Sequence, residues 1–448
     1  MKFFDFSLFS IYENGRKLSV FSLATPIFFE MASTGLLSMV NTLLLSGYSQ
    51  EAIGATGVVG QLTNLLSMIL LITTWGLKVI IGVELGKGNI KGAKAVSGTA
   101  FWMTLASSVA LGILTAAFAA PLLDLMNLDG NPKLIAISFM KITCVFFFVT
   151  VVKSYFTVSL TCNGYSKYAM VSVIITQVLN IILGWFVLYS GIKFPITPVD
   201  ALAVRGIISV LVGLMVAVFF FVKKKCPFSF AFDLEYAKRI LNIGVPASVN
   251  GIGWHLGQTV TTSIIASFGI DMVNAKIYVS NIVNYVTYFS GALSNAVAVI
   301  MGRLRGRCEF EKENRLFYES IKFAMSVNLI VSLIVFVARK PLLSMFTTSS
   351  TIISLATTVM FVDVFVEFIR GATNICDQSL TANGDVKAVS VIALTACLGV
   401  VIFFAWLLGV KLGMGLLGCW LAFLLEELYK SSLYILRWRT GKWKSQKI

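Results

Sequence analysis

Charge is scarce in this chain: Asp, Glu, Lys and Arg make up only 13% of its 448 residues, and there is a single histidine, His255. So few charges cannot cover the surface of a water-soluble protein of this size. The seven cysteines are odd in number, scattered and mostly set in apolar runs, which indicates neither a disulfide framework nor a zinc site. No His-Glu-x-x-His, Gly-x-Ser-x-Gly or phosphate-cradling glycine loop occurs, so the chain is not read as an enzyme, intramembrane or otherwise. A cleavable signal is missing too, because the apolar stretch after Arg16 and Lys17 runs to about Ser46 with one acid, Glu30. That is too long for a signal core. With no sizeable soluble domain, a receptor or scaffold would have nothing to signal through.

What the chain has instead is apolar length. It is 57% hydrophobic, with a mean hydropathy of +0.86. Charge-free runs such as Ala52–Leu77, Ala95–Leu123, Tyr168–Ile192, Ile277–Gly302 and Ala388–Val410 each exceed the roughly 20 residues that a helix needs to cross the bilayer. The pattern predicts an all-α polytopic membrane protein with twelve transmembrane helices, at about 18–46, 52–81, 95–120, 133–160, 168–190, 204–222, 240–267, 273–302, 320–338, 352–379, 388–410 and 413–436. Lys and Arg gather in the N-terminus, every second loop and the C-terminus, 23 in all. The positive-inside rule then puts both termini in the cytoplasm and the protein in the cell membrane. The net charge of +15 follows from that topology; the basic residues lie beside helix ends, not along one face, so no nucleic-acid partner is expected.

The chain also repeats itself. At an offset of 220 residues Pro26 meets Pro246, Gly82 and Gly86 meet Gly302 and Gly306, and Pro121 meets Pro341. Thr161, Asn163, Gly164 and Lys167 likewise meet Thr381, Asn383, Gly384 and Lys387. An even number of crossings per repeat gives two pseudo-symmetric six-helix bundles of the same orientation, related by an axis along the membrane normal. The expected division is a cytoplasmic N-terminal segment 1–17, an N-lobe 18–222, a basic linker 223–239, a C-lobe 240–436 and a basic tail 437–448. A substrate path is expected between the lobes.

Several polar residues fall inside these spans. Asp363, Glu367, Arg370, Asn374 and Asp377 recur at steps of four, three, four and three, an arc of roughly 80° on one helix face. Ionisable groups are costly in hydrocarbon, about 2.5–3.5 kcal/mol each at the helix centre, so this face must look onto a cavity or partner helices. Three acids against one base leave a carboxylate able to bind a proton or a sodium ion, with Asp363 and Glu367 as a possible Na⁺ site. A stripe internally neutralised by Arg370, pairing with Glu367 and Asp363, is the structural alternative. The equivalent face of the first repeat is largely hydroxyl: Thr143, Phe147, Thr150, Ser154 and Thr157, with Lys153 at its edge. Glu30, Thr34 and Asn41 share a face of the first span, with Glu30 near the midplane. His255 could relay protons or simply pack. Gln61 and Asn64 correspond to Asn281 and Asn284 across the repeat, with Met68 and Tyr288 nearby; such a wall would accept varied amphiphiles, or serve as interhelical glue.

These features together resemble the multidrug and toxic compound extrusion family, over essentially the whole chain. The matching residues are Pro26, Val40-Asn41-Thr42, the Gly82 and Gly86 turn, the Asn163-Gly164 turn, Leu179–Leu183 and Pro246. The resemblance implies a monomeric secondary transporter with two six-helix bundles that alternates access and expels cationic or amphipathic small molecules in exchange for H⁺ or Na⁺. Two places depart from it: relatives put an aspartate where Asn41 stands, and the acid that sodium-coupled relatives place in span seven is absent, with Trp254 and His255 near that point. An amide has no titratable proton, which moves the expected coupling role to Glu30. A flippase for a lipid-linked or otherwise anionic substrate is the competing reading, suggested by Lys153, Arg370 and Lys141.

Overall fold

The computed structural model describes residues 4–13, 15–46, 59–60, 62–64, 66–124, 131–145, 147–189 and 197–446. Apart from one two-stranded hairpin, formed by β1 (Ser10–Glu13) and β2 (Arg16–Ser19), the described chain is helical. The long helices are α1 (Val20–Ser46), α2 (Leu62–Gly86), α3 (Ile90–Ala117), α4 (Asn131–Val145), α5 (Phe147–Cys162), α6 (Ser166–Tyr189) and α7 (Pro198–Lys223). There follow α8 (Leu234–Ala266), α9 (Ile270–Gly306), α10 (Phe310–Val337), α11 (Ser350–Ala382), α12 (Val386–Lys411) and α13 (Gly415–Arg439).

Among the described residues nine helices are long and apolar enough to span a membrane, or ten when α4 and α5, bent by 46°, are taken as one. The helices α8 and α13 are as long but more polar, α8 through Asn250, His255 and Gln258 and α13 through Glu426, Glu427 and Lys430. With these two the helices accommodate the twelve expected crossings.

The repeat is visible in the element bounds. Shifted by 220 residues, α3 falls on α10, the end of α2 on the end of α9, and the end of α5 on the end of α11. Even the turn after that last pair is the same. Gly164 and Gly384 both adopt φ 77°, a left-handed conformation that glycine takes without penalty. Tyr165 N donates to Leu160 O at 2.9 Å and Asp385 N to Leu380 O at 3.0 Å, while the side-chain amides of Asn163 and Asn383 donate to Ser159 O and Ser379 O. Each turn thus satisfies carbonyls that a helix end would otherwise strand.

The chain divides into two compact units, one of residues 29–85 and 89–244, the other of residues 1–28, 86–88 and 245–448. The first unit has an apolar core around Val59, Leu70, Leu123, Met140 and Phe147. The second centres on Ile265, Val279, Met360, Val401 and Trp420. The second unit also holds the N-terminal hairpin. Glu13 Oε2 accepts from the buried Arg303 Nε at 3.1 Å, Arg307 donates to Tyr12 O, and Phe9 and Phe21 pack against Phe323. In α12, two π-helical turns at Thr395–Val400 and Ala405–Lys411 interrupt the regular ladder, a distortion frequent near functional residues.

Candidate functional site

The second unit contains a cavity of about 800 Å³. Its walls come from α8, α9, α11, α12 and α13, and close packing of the first and fourth of these requires Gly257, where a Cβ would stand 2.7 Å from Cys397 O. Of the sequence-predicted residues, His255, Asn281, Asn284, Asp363, Arg370, Asn374 and Asp377 line it. Glu367 lies behind Arg370 and is wholly buried. Tyr288 stands edge-on to Tyr285 and is not part of this wall.

The charged stripe of α11 meets a second charged stripe on α13. Arg370 pairs with Glu367 and with Glu427, the latter at 3.3 Å, and Lys430 sits 3.0 Å from both Glu426 and Glu427. The result is one chain of ion pairs, Glu367 to Arg370 to Glu427 to Lys430 to Glu426. The arginine does not pair with Asp363; that carboxylate accepts instead from Trp420 Nε1 at 2.9 Å. Thr287 donates to Glu367 at 3.1 Å, Asn328 to the Glu367 carbonyl at 2.9 Å, Cys397 to Glu426 at 3.3 Å, and Asn374 to Ser290 at 2.9 Å. Two oxygens, Glu367 Oε2 and Glu427 Oε2, are buried without a hydrogen-bond partner. Among the described residues four carboxylates, of Asp363, Asp377, Glu426 and Glu427, line the cavity and a fifth, of Glu367, stands behind Arg370, against three cations, Lys276, Arg370 and Lys430.

Sequence reasoning missed Glu426, Glu427, Lys430 and Lys276. A signal existed on α13, where Glu426 and Lys430 are four apart inside an apolar run, the spacing of facing residues on a helix. What the sequence could not show is that Glu427 would reach Arg370 on another helix.

In the first unit the predicted residues gather more loosely. Glu30 and Lys153 are close enough to interact electrostatically. Thr34 donates to Glu30 O at 2.9 Å and accepts from Gln177 at 3.1 Å. Asn64 is exposed and Met68 half-buried. Gln61 and the side chain of Asn41 lie outside the described residues.

A sequence model of the MatE family matches this chain twice, over residues 26–186 and again over 246–407. The chain belongs to the MatE family. The two matches begin at Pro26 and Pro246, the landmarks of the repeat. Among curated proteins the chain is similar to the uncharacterized transporter YisQ of Bacillus subtilis, 28% identical over 96% of this chain and 95% of that protein. It is also similar to the probable multidrug resistance protein NorM of Thermotoga maritima, 21% identical over 95% and 93%. Among solved structures, a MOP superfamily transporter from Pyrococcus furiosus superposes with a TM-score of 0.87 at 18% identity, covering 96% of both chains. A variant of the Vibrio cholerae MATE transporter VcmN gives 0.84 at 19% identity over 95% and 98%. This MatE chain is therefore an all-α, multi-pass membrane protein of a transporter family, not an enzyme.

Proposed function

We propose that the protein exports cationic or amphipathic small molecules by alternating access, in antiport with H⁺ or Na⁺. The observation that carries this reading is the surplus of carboxylates around the cavity of the second unit, whose arginine is already neutralised by Glu367 and Glu427. A positively charged guest entering such a cavity meets uncompensated negative charge. The naming of relatives as probable multidrug resistance proteins supports the same reading. An anionic or lipid-linked substrate would need several free cations together, and Arg370 is held by Glu367 and Glu427 while Lys153 has Glu30 beside it, which leaves Lys276 as the cation of this cavity without a carboxylate partner among the described residues.

Coupling falls to intramembrane carboxylates. Asp363 and Asp377 are the candidates in the second unit and Glu30 in the first, with Asp363 and Glu367 the pair able to share a sodium ion. His255, on the cavity wall, could pass protons between them and solvent. The functional halves are taken as 18–222 and 240–436 joined by the basic linker 223–239, with the chain acting as a monomer in the cell membrane and both termini in the cytoplasm. Reconstitution into proteoliposomes under an imposed proton or sodium gradient tests the proposal. A lipophilic dye cation should be driven by one of the two gradients; transport of anionic substrates alone would overturn it.

A further inference from the structure

The three cations of the second unit's cavity are not alike. Arg370 is bound by Glu367 and Glu427, and Lys430 by Glu426 and Glu427, so each is committed to carboxylates of its own surroundings. Lys276 is different. Its ammonium donates to the hydroxyl of Thr262, and among the described residues no carboxylate pairs with it. A hydroxyl satisfies a donor but does not cancel a charge. A half-buried ammonium on a cavity wall therefore keeps a positive field that an anionic group could answer with a charge-assisted hydrogen bond.

Its depth separates it from the acids. The helices α9, α11 and α13 start on the same side of the membrane, because each is followed by one intervening crossing before the next. Along α9 and α11, which Thr287 and Glu367 join at the same height, Lys276 lies about 9 Å from that side and Asp363 about 20 Å at 1.5 Å per residue, while Glu426, six residues past the Trp420 that bonds Asp363, lies deeper still. A cation with no carboxylate partner among the described residues thus stands roughly 10 Å nearer the helix starts than Asp363, the shallowest of the carboxylates. A guest carrying only positive charge gains at the acids and loses at Lys276. A guest carrying both signs gains at both places.

We infer that Lys276 is a specificity-determining residue, which receives the anionic group of an amphoteric substrate while the substrate's cationic group lies at the carboxylates deeper in the same cavity. The inference rests on the cation-exporting reading above and narrows its substrate class to molecules that carry a carboxylate or similar anion beside an amine or iminium.

A matched pair of probes tests it: a xanthylium dye bearing one free carboxylate, and the methyl ester of the same dye, whose only charge is positive. Binding to the full chain in lipid nanodiscs is followed by fluorescence polarisation. Lys276→Met should weaken the carboxylate form about tenfold or more and leave the ester unchanged or tighter. Lys276→Arg should hold the carboxylate form near the wild-type affinity, which separates charge from mere packing. Equal weakening of both dyes by Lys276→Met, or no effect on either, overturns the inference while leaving the exporter reading in place. If the wild type binds neither dye, the exporter reading fails and takes this inference with it.

Discussion

The two halves of this chain share a backbone and differ in chemistry. The turns at Gly164 and Gly384 have the same φ and the same carbonyl acceptors, and α3 and α10 begin and end 220 residues apart. Yet where α11 carries Asp363, Glu367, Arg370, Asn374 and Asp377, the matching positions of the first repeat carry Thr143, Phe147, Thr150, Ser154 and Thr157. Duplication preserved the residues that shape the chain, glycine, proline and asparagine at its bends, while the polar groups between them diverged. The comparison teaches that charge was concentrated in one half, and that the concentrated charges stabilise one another only as a set.

The most damaging way to break that contrast is to remove one member of the set. Arg370→Met leaves Glu367 and Glu427 buried beside each other without their shared counter-ion, and should destabilise the protein by about 3–5 kcal/mol. The loss should appear in thermal unfolding in detergent, and the matching change Thr150→Met on the first repeat's equivalent position should cost far less. If both cost the same, the charge network is not what distinguishes the halves.

Next in size is the effect on transport. Asp363→Asn in the second unit and Glu30→Gln in the first should each lower gradient-driven uptake at least tenfold while dye binding stays measurable, since an amide keeps the shape but cannot exchange a proton. Wild-type rates in both variants, under either gradient, would make these carboxylates structural. A smaller and symmetric effect is expected at the turns. Gly164→Ala and Gly384→Ala each force an L side chain into the left-handed region and should cost about 1 kcal/mol apiece. Two unfolding measurements decide it, and a large inequality would show that the repeats tolerate strain differently. The mildest change, Asn41→Asp, should be tolerated, and its signature would be a shifted pH optimum of uptake.

Much of the fold was legible because its signals are local. Apolar length announces a spanning helix, and prolines, glycines and asparagines at one fixed offset announce a duplication. The stripe on α11 was legible for the same reason, being a matter of spacing within one helix. Its completion was not, because Glu427 and Lys430 join Arg370 only through the packing of α11 on α13. The N-terminal hairpin was not anticipated either, although Asn14-Gly15 between Glu13 and Arg16 is a strong hairpin signal. A short segment before the first apolar run reads as a tail, and the buried Arg303 that awaits Glu13 shows otherwise.

That ion pair carries a consequence for the order of events during synthesis. Glu13 and Arg303 are 290 residues apart in the chain, so at translation rates of about 5–20 residues per second the hairpin leaves the ribosome roughly 15–60 s before its partner exists. Throughout that interval Phe9, Ile11 and Leu18, all buried in the finished protein, have no native surface to cover them. The hairpin is thus made long before it can settle, and a ribosome that stops short of α9 releases a chain whose hairpin has nowhere to dock.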